Sequence, residues 1–200
     1  WSGVEIATTG MGQGIDVTPI QMLSAYNALA NGGVYVSPQI IQSIAHSSGD
    51  MEYVATSPSR RIIEEQSARE ITQMLAAVVA RGTARKAGVP GYAIAAKTGT
   101  ARKVQSNGTY EDEEGLYQYA STVVGYFPAS APELSMIVII DEPTDQFYAS
   151  ETAAPLFGNL ASWALRHYKI APASDLVYSS ATQNETDNLT VDEAEIESAQ

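Results

Sequence analysis

The chain has 200 residues, enough for one domain with a real core, and 44% of them are hydrophobic, which excludes a disordered class. Its formal net charge of -12 excludes the clustered positive surface that nucleic acid requires. There is no cysteine, so neither a disulfide framework nor a thiolate metal site is available.

In chain order, the first strong helix signal lies in residues 15–33. Thr18 suits an N-cap and Pro19 the first helical position. Ile20, Leu23, Asn27 and Ala30, flanked by Met22, Tyr26 and Leu29, form a broad apolar face. Asn31-Gly32-Gly33 is a stop signal. Val34–Ile41 reads as extended, broken by Pro38. Ser47-Ser48-Gly49-Asp50 is a turn, and Met51–Ala55 can return as a second strand of a surface hairpin.

Residues 64–81 carry the clearest helical period, with Ile71, Met74, Leu75, Val78 and Val79 spaced i, i+3, i+4, i+7, i+8. Its start is open between a Ser67/Glu70 capping box and a point near Glu64; Gly82 ends it. Three strand-like runs follow, Tyr92–Arg102, Tyr119–Phe127 and Leu134–Ile140. The loop between the first two holds Asn107-Gly108 and the acids Glu111–Glu114, and Pro128–Pro132 makes the second connection short. Successive strands without intervening helices imply an antiparallel sheet. A last helix, about Thr152–His167, turns Leu156, Phe157, Leu160, Trp163 and Ala164 to one side. Beyond Pro172 the chain is polar and acidic: Asp175, Glu185, Asp187, Asp192, Glu193, Glu195 and Glu197 make up seven of the twelve net negative charges. We expect two parts, a folded unit over 1–171 and a disordered tail over 172–200.

The stretch most capable of chemistry is Lys97-Thr98-Gly99-Thr100. Successive strand side chains alternate faces, so Lys97 and Thr98 point to opposite sides. A site using both must lie along an open strand edge, which also offers backbone N–H groups. Gly99 leaves room for a ligand backbone to approach. Lys97 brings positive charge and the threonines bring hydroxyl donors, a combination suited to a carboxylate. The tripeptide alone is common by chance, and its usual meaning is a solvent-facing lysine before a turn.

Its context changes the weighting. Gly12-Gln13-Gly14-Ile15-Asp16-Val17-Thr18-Pro19-Ile20-Gln21 precedes a helix ending in Ala30-Asn31-Gly32-Gly33. Gly82-Thr83-Ala84 and Gly91-Tyr92 come before the K-T-G strand. Tyr119–Pro128 and Ala153-Ala154-Pro155-Leu156-Phe157-Gly158 follow it. This ordered series resembles the class B penicillin-binding proteins, most closely those of the cell-division type, over about residues 1–171. K-T-G belongs with S-x-x-K and S-D-N in the signature of that superfamily.

The resemblance implies an α/β fold of α+β type, an antiparallel sheet covered by helices as in serine β-lactamases and penicillin-binding transpeptidases. It implies acyl transfer on peptidoglycan stem peptides, trapping by β-lactams, and no metal or organic cofactor. By the same resemblance Lys97 sets the electrostatics of the cleft and Thr98, Gly99 and Thr100 bind the substrate or drug carboxylate. The Thr100 backbone N–H supplies half of the oxyanion hole. Expected partners are a division glycosyltransferase and other division proteins, at the extracytoplasmic face of the plasma membrane. The alternatives are a β-lactamase or β-lactam sensor of the same superfamily, which the Gly12–Gly33 series disfavours, and a non-catalytic scaffold of the division machinery.

One departure from the family pattern is sharp. No serine has a lysine three residues on, and no asparagine has a serine two residues before it. Both motifs normally lie upstream of Gly12-Gln13-Gly14. The chain starts at Trp1 without an initiator Met. We therefore expect a truncated parent whose serine, lysine base and membrane anchor lie upstream. No signal peptide and no bilayer-spanning apolar run occurs in the chain itself.

Other candidates have simpler readings. His46 and His167 lack ligand-spaced partners, and His167 suits the last turn of a helix. Ser121 has no nearby His or Lys in sequence and reads as sheet packing. Arg81, Arg85, Lys86, Arg102 and Lys103 flank the K-T-G strand; solvated element ends are slightly favoured over a built positive field. Glu111–Glu114 reads as a solvated loop. Three Asn-x-Thr matches, at Asn107, Asn184 and Asn188, carry almost no weight in a bacterial family.

Overall fold

The computed structural model describes residues 3–172 apart from Met11, Gln13, Thr56 and Glu113, and leaves aside the side chains of Val4 and Glu5. Residues 173–200 of the expected tail, and Gln13 of the glycine-flanked motif, lie outside the described residues. The elements run α1 (Gly3–Gly10), α2 (Pro19–Ala30), β1 (Val34–Val36), β2 (Ser43–Ala45), β3 (Met51–Tyr53), β4 (Ser59–Arg61), α3 (Glu65–Arg81), a 3₁₀ turn (Arg85–Ala87), β5 (Ala95–Arg102), β6 (Tyr119–Phe127), β7 (Leu134–Asp141) and α4 (Ala153–His167).

The α2 start forms as its residues dictate. Thr18 stays extended, its hydroxyl accepts from the Gln21 N–H, and the Gln21 side chain accepts from the Thr18 N–H at 2.8 Å, a reciprocal capping box. At the other end the Gly33 N–H donates to Ala28 O at 2.7 Å. Gly33 has φ +90°, and a Cβ there would lie 2.0 Å from Ile63 O, so only glycine fits this exit.

The surface hairpin exists with a different first strand from the one expected. Its strands are β2 and β3, paired Ser43↔Tyr53 to Ala45↔Met51. Val34–Val36 instead pairs antiparallel with Ser59–Arg61. Pro38, which lacks an N–H, follows β1 closely and separates it from the hairpin. The Ser67/Glu70 capping box is absent: α3 begins at Glu65, with Glu64 as an N-cap that makes no side-chain cap bond. Glu65 in the first turn and Arg81 in the last complement the helix dipole instead.

The main sheet is antiparallel with order β5-β6-β7, in register from Ala95↔Tyr126 and Phe127↔Leu134. Helices cover both faces. On one, Ala96, Val123 and Val138 pack with Phe157, Ala161 and Leu165 of α4 and with Val79, Ala84 and Ala87. Phe127 meets Phe157 edge to face at 5.9 Å. On the other, Ala95 and Tyr126 pack with Leu75 and Ala76 of α3 and with Tyr26 and Leu29 of α2. Burial raises the pKa of Tyr126 and of Tyr26, with the neighbouring Tyr126 adding to the Tyr26 shift. This three-layer arrangement is the α+β fold expected, and it roots β5 firmly at Ala95 and Ala96.

Candidate active site

Strand β5 is an edge of the main sheet, and its outer edge carries the K-T-G residues. Two hydrogen bonds fix which backbone groups face outward. The Lys103 N–H donates to Gln118 O at 2.8 Å, toward β6, and Tyr119 O accepts from Glu142 N–H at 2.9 Å, away from β5. Backbone groups alternate along a strand. The N–H and C=O of Thr98, Thr100 and Arg102 therefore point to the open edge, and those of Lys97 and Gly99 toward β6.

The side chains divide as the alternation predicts. Lys97 lies on the Ala95 face and reaches around the edge, where its Nζ donates to Thr98 O at 2.8 Å. Thr98 and Thr100 lie on the Ala96 face. The Thr98 hydroxyl is 2.8 Å from the Thr83 hydroxyl, and the Thr100 Oγ1 accepts from the Ala149 N–H at 3.1 Å. A hydroxyl that accepts through one lone pair still carries a proton it can donate to another group. At Gly99 an added Cβ would meet nothing closer than Thr122 Cβ at 3.9 Å. Internal packing does not require glycine there.

The segment from β7 to α4 completes the surroundings. Ser121, fully buried, donates its hydroxyl to Phe147 O, which confirms the packing role read for this serine. Phe147 stacks on Tyr119 at 4.2 Å and abuts Tyr148 at 4.4 Å, which ties to β6 the segment whose Ala149 N–H meets Thr100. Thr83 belongs to the Gly82-Thr83-Ala84 motif, which by itself assigns it no partner, and Phe147 and Ala149 belong to no sequence motif. Their positions depend on contacts spanning 15 to 49 residues, which no local pattern encodes.

The flanking cations are mostly engaged. Lys86 pairs with Glu151, and Lys103 bonds Asp141 and Glu142 at 2.9 and 2.6 Å. The hydrogen bond that Lys103 donates to Asp141, and then the one it donates to Glu142, hold its pKa above the ordinary value. Arg102 lies over the Tyr117 ring at 4.0 Å. In the acidic loop Tyr117 donates to Glu111, while Asp112 accepts the N–H groups of Glu114 and Leu116. His46 meets Glu52 across the hairpin at 3.1 Å, and His167 stacks on Trp163 at 4.7 Å. Among the described residues no group of acidic or histidine side chains could hold a metal ion.

Residues 1–162 match the family described as the penicillin-binding protein transpeptidase domain. The chain belongs to that family. It is 34% identical over 192 residues to stage V sporulation protein D of Bacillus subtilis, covering 94% of this chain and 29% of that protein. It is 32% identical over 174 residues to the peptidoglycan D,D-transpeptidase FtsI of Escherichia coli, covering 86% of this chain and 27% of that protein. Among solved structures, penicillin-binding protein 3 of Mycobacterium tuberculosis complexed with aztreonam is 34% identical with a TM-score of 0.76, over 88% of this chain and 41% of that one. The complex of the same protein with ampicillin superposes with a TM-score of 0.77. The chain thus spans under a third of the length of these two curated relatives.

Proposed function

We propose that this chain is the C-terminal part of a serine D,D-transpeptidase that cross-links peptidoglycan stem peptides during septal cell-wall synthesis. The observation that carries the reading is the open edge of β5. The outward N–H of Thr100, the Thr98 and Thr100 hydroxyls and the Lys97 ammonium, which reaches around to Thr98 O, all lie along that one edge. Family membership supports the same reading, as do its relatives, one a peptidoglycan D,D-transpeptidase and one a protein crystallised with β-lactams.

The chemistry follows from the donors. A serine supplied by an upstream S-x-x-K attacks the carbonyl carbon of the terminal D-Ala–D-Ala peptide bond, and the carbonyl oxygen becomes an oxyanion. The Thr100 N–H faces that oxygen as one donor of the oxyanion hole, and the serine N–H is the other. Thr98 and Thr100 hydroxyls donate to the terminal carboxylate, and Lys97 adds a positive charge that favours anion binding. D-Ala leaves, and the amine of a neighbouring stem peptide resolves the acyl-enzyme. A β-lactam offers the same carbonyl and carboxylate and stalls after acylation. No described helix is long and apolar enough to cross a membrane. In this reading an upstream anchor holds the enzyme on the extracytoplasmic face, beside the division glycosyltransferase.

The test uses the polypeptide extended upstream to include S-x-x-K. Lys97→Ala is expected to slow acylation by a fluorescent penicillin at least about a hundredfold, the scale of losing one charge-stabilising group, with the fold retained. An unchanged acylation rate removes Lys97 from the site. The 200-residue chain alone, lacking the nucleophile, is expected to take no label that survives denaturing electrophoresis. A surviving label overturns the assignment of the serine to the upstream part.

A further inference from the structure

We propose that Thr83 is a positioning residue: its hydroxyl orients the Thr98 hydroxyl so that Thr98 donates its proton to the ligand carboxylate. This rests on the transpeptidase reading of the same edge.

The placement of Thr83 is built rather than incidental. It lies between Gly82, which ends α3, and Ala84, which is fully buried. The N–H groups of Gly82 and Ala84 both donate to Val78 O, at 3.0 and 3.2 Å. A Cβ at Gly82 would sit 2.9 Å from that oxygen, so the backbone has no slack there. The Thr83 side chain is exposed and packs into no core cluster. Its hydrogen-bond partner is the Thr98 hydroxyl, 2.8 Å away. Threonine is stiff at χ1, so a backbone held this tightly holds the hydroxyl as well.

Two hydroxyls in contact share one hydrogen bond, and only one of them keeps a proton for a third group. Without a ligand either oxygen can donate. A carboxylate accepts only, so it requires the Thr98 proton. Thr98 Oγ1 must then accept from Thr83, giving the order Thr83 O–H to Thr98 Oγ1, and Thr98 O–H to carboxylate. Hydrogen bonds in such a chain polarise one another, and the terminal bond to the anion strengthens. Thr100 is arranged in the same way through the Ala149 N–H, so both hydroxyls of the ledge have their lone pairs engaged from behind. The device selects for a carboxylate over a neutral group at that position.

The experiment compares variants of the upstream-extended polypeptide in stopped-flow acylation by benzylpenicillin and by its methyl ester. Thr83→Val keeps the shape and removes the donor. It is expected to raise the dissociation constant for benzylpenicillin about three- to tenfold, the worth of one hydrogen bond, with little change in the acylation rate constant. The ester should be nearly unaffected, so discrimination between acid and ester falls. Thr83→Ser should restore it, and Thr83→Val combined with Thr98→Val should bind no worse than Thr98→Val alone. Equal losses for acid and ester, additive losses in the double variant, or no loss while Lys97→Ala and Thr98→Val are impaired would each overturn the role of Thr83. If Lys97→Ala and Thr98→Val also acylate normally, the reading of the edge itself fails, and this inference with it.

Discussion

The β2–β3 hairpin and the β5–β6–β7 sheet are both antiparallel, yet they occupy opposite environments. In the hairpin Ile44, Met51 and Tyr53 are 43%, 51% and 74% exposed. In the sheet Val123, Tyr126 and Phe127 are at most 1% exposed, because α4 covers one face and α2 and α3 the other. Hydrogen bonding does not account for that difference, since both are antiparallel ladders paired along their inner edges and open at their outer ones; burial of apolar area does. Strand β5 combines the two situations within eight residues. Ala95 and Ala96 are fully buried, while Lys97, Gly99, Thr100 and the residues after them are exposed. A strand anchored at one end and free at the other can hold hydroxyls and N–H groups in fixed positions without covering them.

The largest expected effect comes from attacking the anchor. A Cβ at Gly125 would lie 2.3 Å from Ala95 O and 2.6 Å from Ala96 Cβ. Gly125→Val must push β5 off β6, and overpacking on this scale should cost about 3 kcal/mol or more. In the upstream-extended polypeptide the variant should lose both thermal stability and penicillin acylation. Lost stability with unimpaired acylation would show that the Lys97–Thr100 geometry does not depend on its buried root.

A smaller effect is expected inside the α2–α3 face. The Tyr126 hydroxyl lies 2.7 Å from Thr72 Oγ1, which itself donates to Ala68 O at 2.8 Å. Tyr126→Phe removes one buried bond and should cost about 1 kcal/mol, read as a lowered unfolding midpoint in denaturant. Burial holds the Tyr126 pKa above its ordinary value of 10.0. The folded state therefore binds the phenolic proton more tightly, and this contribution is intact below about pH 10 and is lost as pH rises through the folded value. The difference in stability between Tyr126→Phe and the parent should accordingly shrink above pH 10, and a difference independent of pH to the alkaline limit would contradict burial as the cause.

The same contrast explains what was legible in the sequence. Helix α3 stands out because one-sided burial imposes a period on its apolar residues, strands β6 and β7 because they are short, largely apolar runs, and α2 because its caps are local chemistry. Strand β4, Ser-Arg-Arg, has no apolar residue to reveal it, and β1 found it as a partner rather than the nearer turn-flanking segment. The eight-residue α1 begins and ends with glycine and shows no strong stop or start signal. In the candidate site, Lys97–Thr100 stands out from the sequence because strand alternation and an ordered set of motifs are sequence properties. The contacts of Thr83, Ala149 and Phe147 are not legible there: Gly82-Thr83-Ala84 marks Thr83 as a motif residue, but nothing local says which group a polar contact across 15 to 49 residues will meet.

The smallest expected effect tests the exposed member of the comparison. Tyr53 ends β3, pairs with Ser43, and is 74% exposed. Neither core cluster includes it. Tyr53→Thr keeps a residue that favours strands while removing the ring. A surface change of this kind should stay within about 0.5 kcal/mol. For a domain of this size that is a shift of about 1–2 °C in the midpoint of thermal unfolding. A loss several times larger would mean that the ring is covered in the molecule being measured, and the hairpin would then belong with the sheet, held by burial, rather than stand apart from it.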